Sequence, residues 1–242
     1  MLNIKDFDFF AFDFDGTLVD SHPVYLEKDK LYINHFYSQD ISRNFLEQQE
    51  LKFRQQLNIP YSIEYYLFLD RLFGKGKLTA EEISSRLSWF DENTIKPLIK
   101  PKPGAIKALK TIKSEFPDKK LLLVTGSKRA EIDYFSSHPL SSLRDHLNIN
   151  SFFDCVITQD DVLEQKPSPE PYKKALDTIG ASSDSSFLVF EDSVDGVLSA
   201  KANHATVVAI ENKHINNDDK KLKDLSDYYF RDWKSILDSI LG

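Results

Sequence analysis

From Pro101 onward the chain alternates short apolar runs with amphipathic stretches, and this alternation constrains the fold more than any other feature of the sequence. Leu121 to Thr125, Phe153 to Thr158, Phe187 to Phe190 and Ala205 to Ile210 read as buried strands, too short for helices. Between them, helical spacing covers Ala105 to Phe116, a segment from about Lys128, Pro169 to Ile179 and Val194 to Ala202, with a terminal helix over Trp233 to Leu241. Strands separated by helices pair in parallel through crossovers. The pattern therefore predicts an α/β fold with a doubly wound, mostly parallel sheet covered on both faces. A further apolar run, Phe7 to Phe12, supplies a first strand far upstream.

The residues between that first strand and the rest have a different character. From about Ser21 to Lys96 apolar residues recur at helical spacing, as in Phe45, Leu46, Gln49, Phe53 and Leu57, then Tyr65, Tyr66, Leu69 and Phe73. Four or five helices are expected there, one of them opened by a capping box with Thr79 as N-cap and Glu82 at the third helical position. The aromatic residues Tyr61, Tyr65, Tyr66, Phe68, Phe73, Trp89 and Phe90 read mostly as core, with one or two available to a ligand. The domain expectation is a core of residues 1–20 and 97–242 with an inserted α-helical domain of residues 21–96. Asn212 to Asp227 reads as a surface loop or a solvated helix.

At 242 residues the chain can bury a sizeable core, and its formal charge of −7 disfavours nucleic acid as a partner. A single cysteine, Cys155, lies inside an apolar run and reads as a buried core residue. No apolar stretch approaches membrane-spanning length and no secretory leader is visible, so the expectation is a cytoplasmic protein without a membrane partner.

In open α/β sheets ligands bind outside the carboxyl ends of the strands, so polar residues at strand ends are the candidates for chemistry. The first strand ends in Asp13-Phe14-Asp15-Gly16-Thr17. A carboxylate can attack phosphorus and form an aspartyl-phosphate, which makes Asp13 the candidate nucleophile and Asp15 the candidate proton carrier. Gly16 permits an immediate turn, and Thr17 adds a hydroxyl beside the pair. The second strand ends in Thr125-Gly126-Ser127, which reads either as an anion cradle at a helix start or as an ordinary capping turn. Lys166, held before Pro167-Ser168-Pro169, is a candidate phosphate contact or else a solvated loop lysine; Asp160 and Asp161 upstream read as loop or cap residues. Glu191 and Asp192 close the next strand. Together with Asp13 they offer the hard oxygen ligands that Mg²⁺ takes, while a helix start enriched in acids accounts for one of them alone.

Asp-x-Asp-Gly-Thr, a strand-terminal Thr, Lys-Pro-x-Pro and Glu-Asp-Ser, in this order across nearly the whole chain, resemble the haloacid dehalogenase superfamily. The helical insertion resembles the cap of its phosphatase and β-phosphoglucomutase-like branch. The resemblance implies Asp13 as nucleophile and metal ligand, and Asp15 as acid/base with its backbone carbonyl on the metal. It implies Thr125, Lys166 and amides near Gly16, Thr17, Gly126 and Ser127 around the phosphoryl group. Asp192 would complete a Mg²⁺ site, with Glu191 bound directly or through water. The implied activity is hydrolysis of a small phosphorylated metabolite. In the mutases a histidine stands at the tenth position after the acid/base; here that residue is Tyr25, with His22 off by three positions and reading as a hinge or cap residue. No glycine-and-arginine phosphate loop is evident in the insertion, although Arg43, Arg54 and Arg71 are available. A sugar phosphomutase, a phospho-receiver domain and a non-catalytic interaction protein remain the alternatives.

Overall fold

Runs rich in Phe, Val, Leu and Ile become six strands: β1 (Phe9–Phe12), β2 (Lys120–Val124), β3 (Cys155–Ile157), β4 (Phe187–Glu191), β5 (Thr206–Ile210) and β6 (Tyr228–Phe230). They form one wholly parallel sheet in the order β3-β2-β1-β4-β5-β6. The computed structural model describes residues 2–57, 63–213 and 219–241. It divides the chain into two compact units, Met1–His22 with Ile99–Gly242, and Pro23–Leu98.

The helices are α1 (His22–Tyr37), α2 (Arg43–Leu57), α3 (Ile63–Phe73), α4 (Ala80–Phe90), α5 (Ala105–Glu115), α6 (Arg129–Ser137), α7 (Ile149–Phe152), α8 (Glu170–Ile179), α9 (Val194–Lys201), α10 (Asp219–Leu225) and α11 (Trp233–Leu241). In the sheet unit, period-two alternation divides the strand residues between two faces. Ala11, Leu122, Val124, Ile157, Val189 and Val207 pack with Tyr172 and Ala175 of α8 and Val197 and Ala200 of α9. On the other face Phe12 stacks on Phe190 with ring centroids 4.8 Å apart, Trp233 of α11 lies 5.3 Å from Phe190, and Phe10 meets Phe116 just beyond α5. Cys155 is buried in the first of these cores, and burial pushes its thiol pKa up.

The helical unit has its own core of Tyr32, Ile33, Leu46, Phe53, Tyr65, Tyr66, Leu69, Ile83, Phe90 and Ile95. The capping box at Thr79 is formed, with Thr79 Oγ1 accepting from Glu82 N at 3.2 Å and Glu82 Oε2 accepting from Thr79 N at 2.8 Å. Phe45 and Trp89 are exposed, each lying off the buried stripe of its helix that carries Leu46 and Phe53, or Ile83 and Phe90. The side chains of Arg54 and Leu57, and Tyr61 as a whole, lie outside the described residues.

Three elements depart from the sequence expectation. Helix α7 ends at Phe152, so β3 begins at Cys155 rather than at Phe153. Helix α10 forms within the polar stretch, as one of the two readings had it, but it is not wholly solvated, because Leu222 is buried in the core. Strand β6 is a three-residue edge strand, too short to show a period of its own, and it pairs with Val208 to Ile210 of β5. Among the described residues no helix is long and apolar enough to cross a membrane.

Strand order reverses at β1, which lies between β2 and β4, and this opens a crevice at the carboxyl ends of β1 and β4. The turn after β1 is tied to the far end of the chain, because buried Trp233 donates its indole N–H to the Thr17 carbonyl at 2.8 Å. Trp233→Phe removes that donor while keeping an aromatic ring, and leaves the carbonyl buried without it. We expect a loss of about 1–3 kcal/mol, read as a lower urea midpoint.

Candidate active site

Strand β1 ends at Phe12, so Asp13 and Asp15 stand in the turn beyond it and their placement does not follow from strand alternation. The backbone sets it instead. Asp13 N donates to Phe190 O at 3.0 Å, extending the register with β4, and Gly16 N closes the turn onto Val19 O at 2.8 Å. Gly16 has φ of +81°, and a Cβ there would lie 2.1 Å from Asp192 Oδ2 and 2.4 Å from Asn212 Nδ2. Glycine is required both by the left-handed backbone and by the close approach of these side chains.

Lys166 is the centre of the polar cluster. Its Nζ donates to Asp13 Oδ1 at 2.9 Å, to the Val124 carbonyl at 2.8 Å and to Glu191 Oε1 at 2.6 Å. Burial works against its charge, but the carboxylates of Asp13 and Glu191 outweigh burial and hold its pKa well above the usual lysine value. Glu191 is fully buried. Its Oε1 also accepts from the Tyr172 hydroxyl at 2.7 Å, and its Oε2 accepts from Asp192 N at 3.2 Å and Ser193 Oγ at 3.4 Å.

Burial pushes the Asp192 pKa well up, with repulsion from Asp13 and Glu191 adding to it. Asp192 accepts from Asn212 Nδ2 at 2.5 Å and from Thr17 Oγ1 at 3.4 Å. The Thr17 hydroxyl is fully buried and turned to Asp192. Asp15 is pushed up to about 6 by burial, against hydrogen bonds from Ser127 and Ser21 that favour its ionised form. Ser127 Oγ donates to Asp15 Oδ2 at 2.5 Å, and Ser127 N donates to Thr125 Oγ1 at 3.0 Å. Gly126 is open: only Gln165 Oε1, at 3.9 Å, would meet a Cβ there.

The structure therefore gathers Asp13, Lys166, Glu191 and Asp192 into one cluster and joins Asp15 to Ser127 beside it. Asp160 and Asp161 lie outside the cluster; Asp160 Oδ2 accepts from Arg129 N at 2.8 Å, and Asp161 binds Thr158 and the Arg129 guanidinium. Three contributors were not anticipated. Asn212 bridges Asp192 and His22, Lys102 is held near Asp192, Asp20 and Asp13, and Tyr172 reaches Glu191. Asn212 was detectable by the rule that located the others, since Glu211-Asn212 directly follows β5.

Asp13, Glu191 and Asp192 each place a carboxylate oxygen within 4.8 Å of the others. Asp13 Oδ2 is buried and has no hydrogen-bond partner. Clustered buried acids are costly unless a cation balances them, and an all-oxygen donor set is what Mg²⁺ takes. The residues fit a divalent cation. The side chain of Asp15 is not part of this cluster, which leaves only its backbone carbonyl for the expected metal role.

Comparison with known proteins agrees with the motif order. Residues 10–210 match the family model for haloacid dehalogenase-like hydrolases, and the chain belongs to that family. A phosphorylated carbohydrates phosphatase of Thermotoga maritima is 29% identical over 194 residues, covering 79% of each chain. The pyrophosphatase PpaX of Oceanobacillus iheyensis is 24% identical over 234 residues, 96% of this chain and 95% of its own. A solved structure from Thermotoga maritima, provisionally described as a β-phosphoglucomutase, shares the fold with a TM-score of 0.72 at 24% identity, covering 96% of this chain and 99% of that one.

Gly196 in the first turn of α9 makes room for the buried acid: a Cβ there would lie 2.1 Å from the Glu191 carboxyl carbon. Alanine is the better helix former, yet Gly196→Ala is expected to destabilise by about 1–3 kcal/mol through overpacking. Equilibrium urea denaturation measures the sign.

Proposed function

We propose that this protein is a Mg²⁺-dependent phosphatase that hydrolyses a small phosphomonoester through an aspartyl-phosphate on Asp13. One observation carries the reading: Asp13 presents a buried, unpartnered Oδ2 while its Oδ1 is held 2.9 Å from the Lys166 ammonium. A carboxylate fixed through one oxygen and bare at the other is oriented to attack. The family and the phosphatase relative support the same class of reaction.

Asp13 Oδ2 attacks phosphorus, the ester P–O bond breaks, and Asp15 gives its proton to the departing oxygen. Asp15 then takes a proton from water as that water attacks phosphorus, which releases phosphate and restores Asp13. Lys166 offsets the charge gathered on the phosphoryl oxygens, with Thr125 and the amides near Gly16, Gly126 and Ser127 as further donors. Asp13 and Asp192, with the Asp15 carbonyl and Glu191 directly or through water, would hold Mg²⁺; when bound it neutralises phosphoryl charge and orients the reacting group. The helical unit, inserted in the chain directly after the Asp13 turn, would act as a cap that selects the substrate. Tyr25 stands where the mutases carry a histidine, which favours hydrolysis over phosphoryl return to a sugar.

Phosphate release from a panel of phosphomonoesters that includes sugar phosphates tests the reading. Turnover should require Mg²⁺ and fall on the order of a thousandfold or more in Asp13→Asn. Sugar-phosphate isomerisation without release would instead establish a mutase. Mg²⁺ should also raise the melting temperature of the native chain, because it binds the folded state preferentially. Asp192→Asn should lose most of that rise, and an unchanged rise would place the ion elsewhere.

A further inference from the structure

Tyr172 lies in the first turn of α8, which packs on β2 and β3, and is buried in the apolar core, where a phenylalanine would fill almost the same space. Its hydroxyl is used. It donates to Glu191 Oε1 at 2.7 Å, the same oxygen that takes the Lys166 ammonium at 2.6 Å, and Lys166 Nζ lies 5.1 Å from the centre of the Tyr172 ring. We infer that Tyr172 is a positioning residue for the phosphoryl-binding lysine, acting through Glu191; this inference rests on the phosphatase reading above.

The argument is one of competition for an acceptor. The three donors of the Lys166 ammonium are directed to Asp13, the Val124 carbonyl and Glu191. To contact a phosphoryl oxygen, Lys166 must release one of them. Glu191 cannot turn away to allow this, since Oε2 is held by Asp192 N and Ser193 Oγ and the carboxyl group rests against Gly196. A carboxylate oxygen shared by two donors holds each less tightly than it would hold one alone. The Tyr172 hydroxyl thus keeps Glu191 from monopolising the ammonium, while its ring face stabilises the cation over a short excursion. Without the hydroxyl, Lys166 would settle on Glu191 and bind the phosphoryl group less well.

Tyr172→Phe removes the hydroxyl and keeps the packing; Tyr172→Leu removes both. Initial rates, product inhibition by orthophosphate, the Mg²⁺ half-saturation concentration and thermal melting are to be measured for the native chain and both variants. We expect Tyr172→Phe to lower kcat/KM about tenfold, as loss of a hydrogen bond to a charged group does. Orthophosphate inhibition should weaken several-fold as Lys166 loses its reach, while the Mg²⁺ half-saturation stays at the native value. Native kinetics in Tyr172→Phe, with lowered melting in Tyr172→Leu, would reduce the residue to core packing and overturn the inference. A Tyr172→Phe defect repaired by raising Mg²⁺ would also overturn it, by placing the effect at the metal ligands. A native chain that releases no phosphate removes the phosphatase reading and this inference with it, whereas native turnover with an unaltered Tyr172→Phe removes only the inference.

Discussion

Four charged groups share one crowded corner of the sheet, and the ammonium of Lys166 is what allows them to be there. Asp13, Glu191 and Asp192 are all buried at the ends of β1 and β4. Carboxylates this close repel one another and lose their water, and each term favours protonation or unfolding. Lys166 supplies an internal countercharge to two of them at hydrogen-bonding distance. The balance is incomplete, because Lys166 and the nearby Lys102 face Asp20 as well as these three acids, and one oxygen of Asp13 has no partner. That deficit suits a divalent cation.

The scaffold's part is to fix these groups without room for adjustment. Parallel pairing places the ends of β1 and β4 side by side, so Asp13 and Glu191 emerge over the same core face. Glycines at 16 and 196 then let neighbouring backbone close in on Asp192 and Glu191. Trp233 ties the turn after β1 to the last helix, so the Asp13 turn depends on packing from the far end of the chain.

Much of this was legible in one dimension. Alternation of apolar runs with helical spacing is a local property, and it located five of the six strands. The sixth, β6, carries too few residues for a period and forms because β5 offers an open edge. Asp13, Lys166, Glu191 and Asp192 were recognisable because strand ends in such a sheet converge on one edge. Tyr172 was not, since a tyrosine on the buried face of an amphipathic helix looks the same whether or not its hydroxyl has a polar partner above it. Asn212 stands just past the end of β5, where the same strand-end rule reaches it, although it also opens a polar stretch whose composition resembles any surface loop.

The sequence by itself determined the alternation of elements, the order of the motifs and the kinds of chemical group available, because hydrophobic period, turn residues and side-chain chemistry are carried residue by residue. Only the tertiary structure decided which oxygen of Asp13 stays bare, that the Thr17 hydroxyl serves Asp192, and that Lys166 and Tyr172 share one oxygen of Glu191. Those outcomes depend on distances between residues more than a hundred positions apart, or on which lone pair a neighbour has already taken, and no local pattern encodes either.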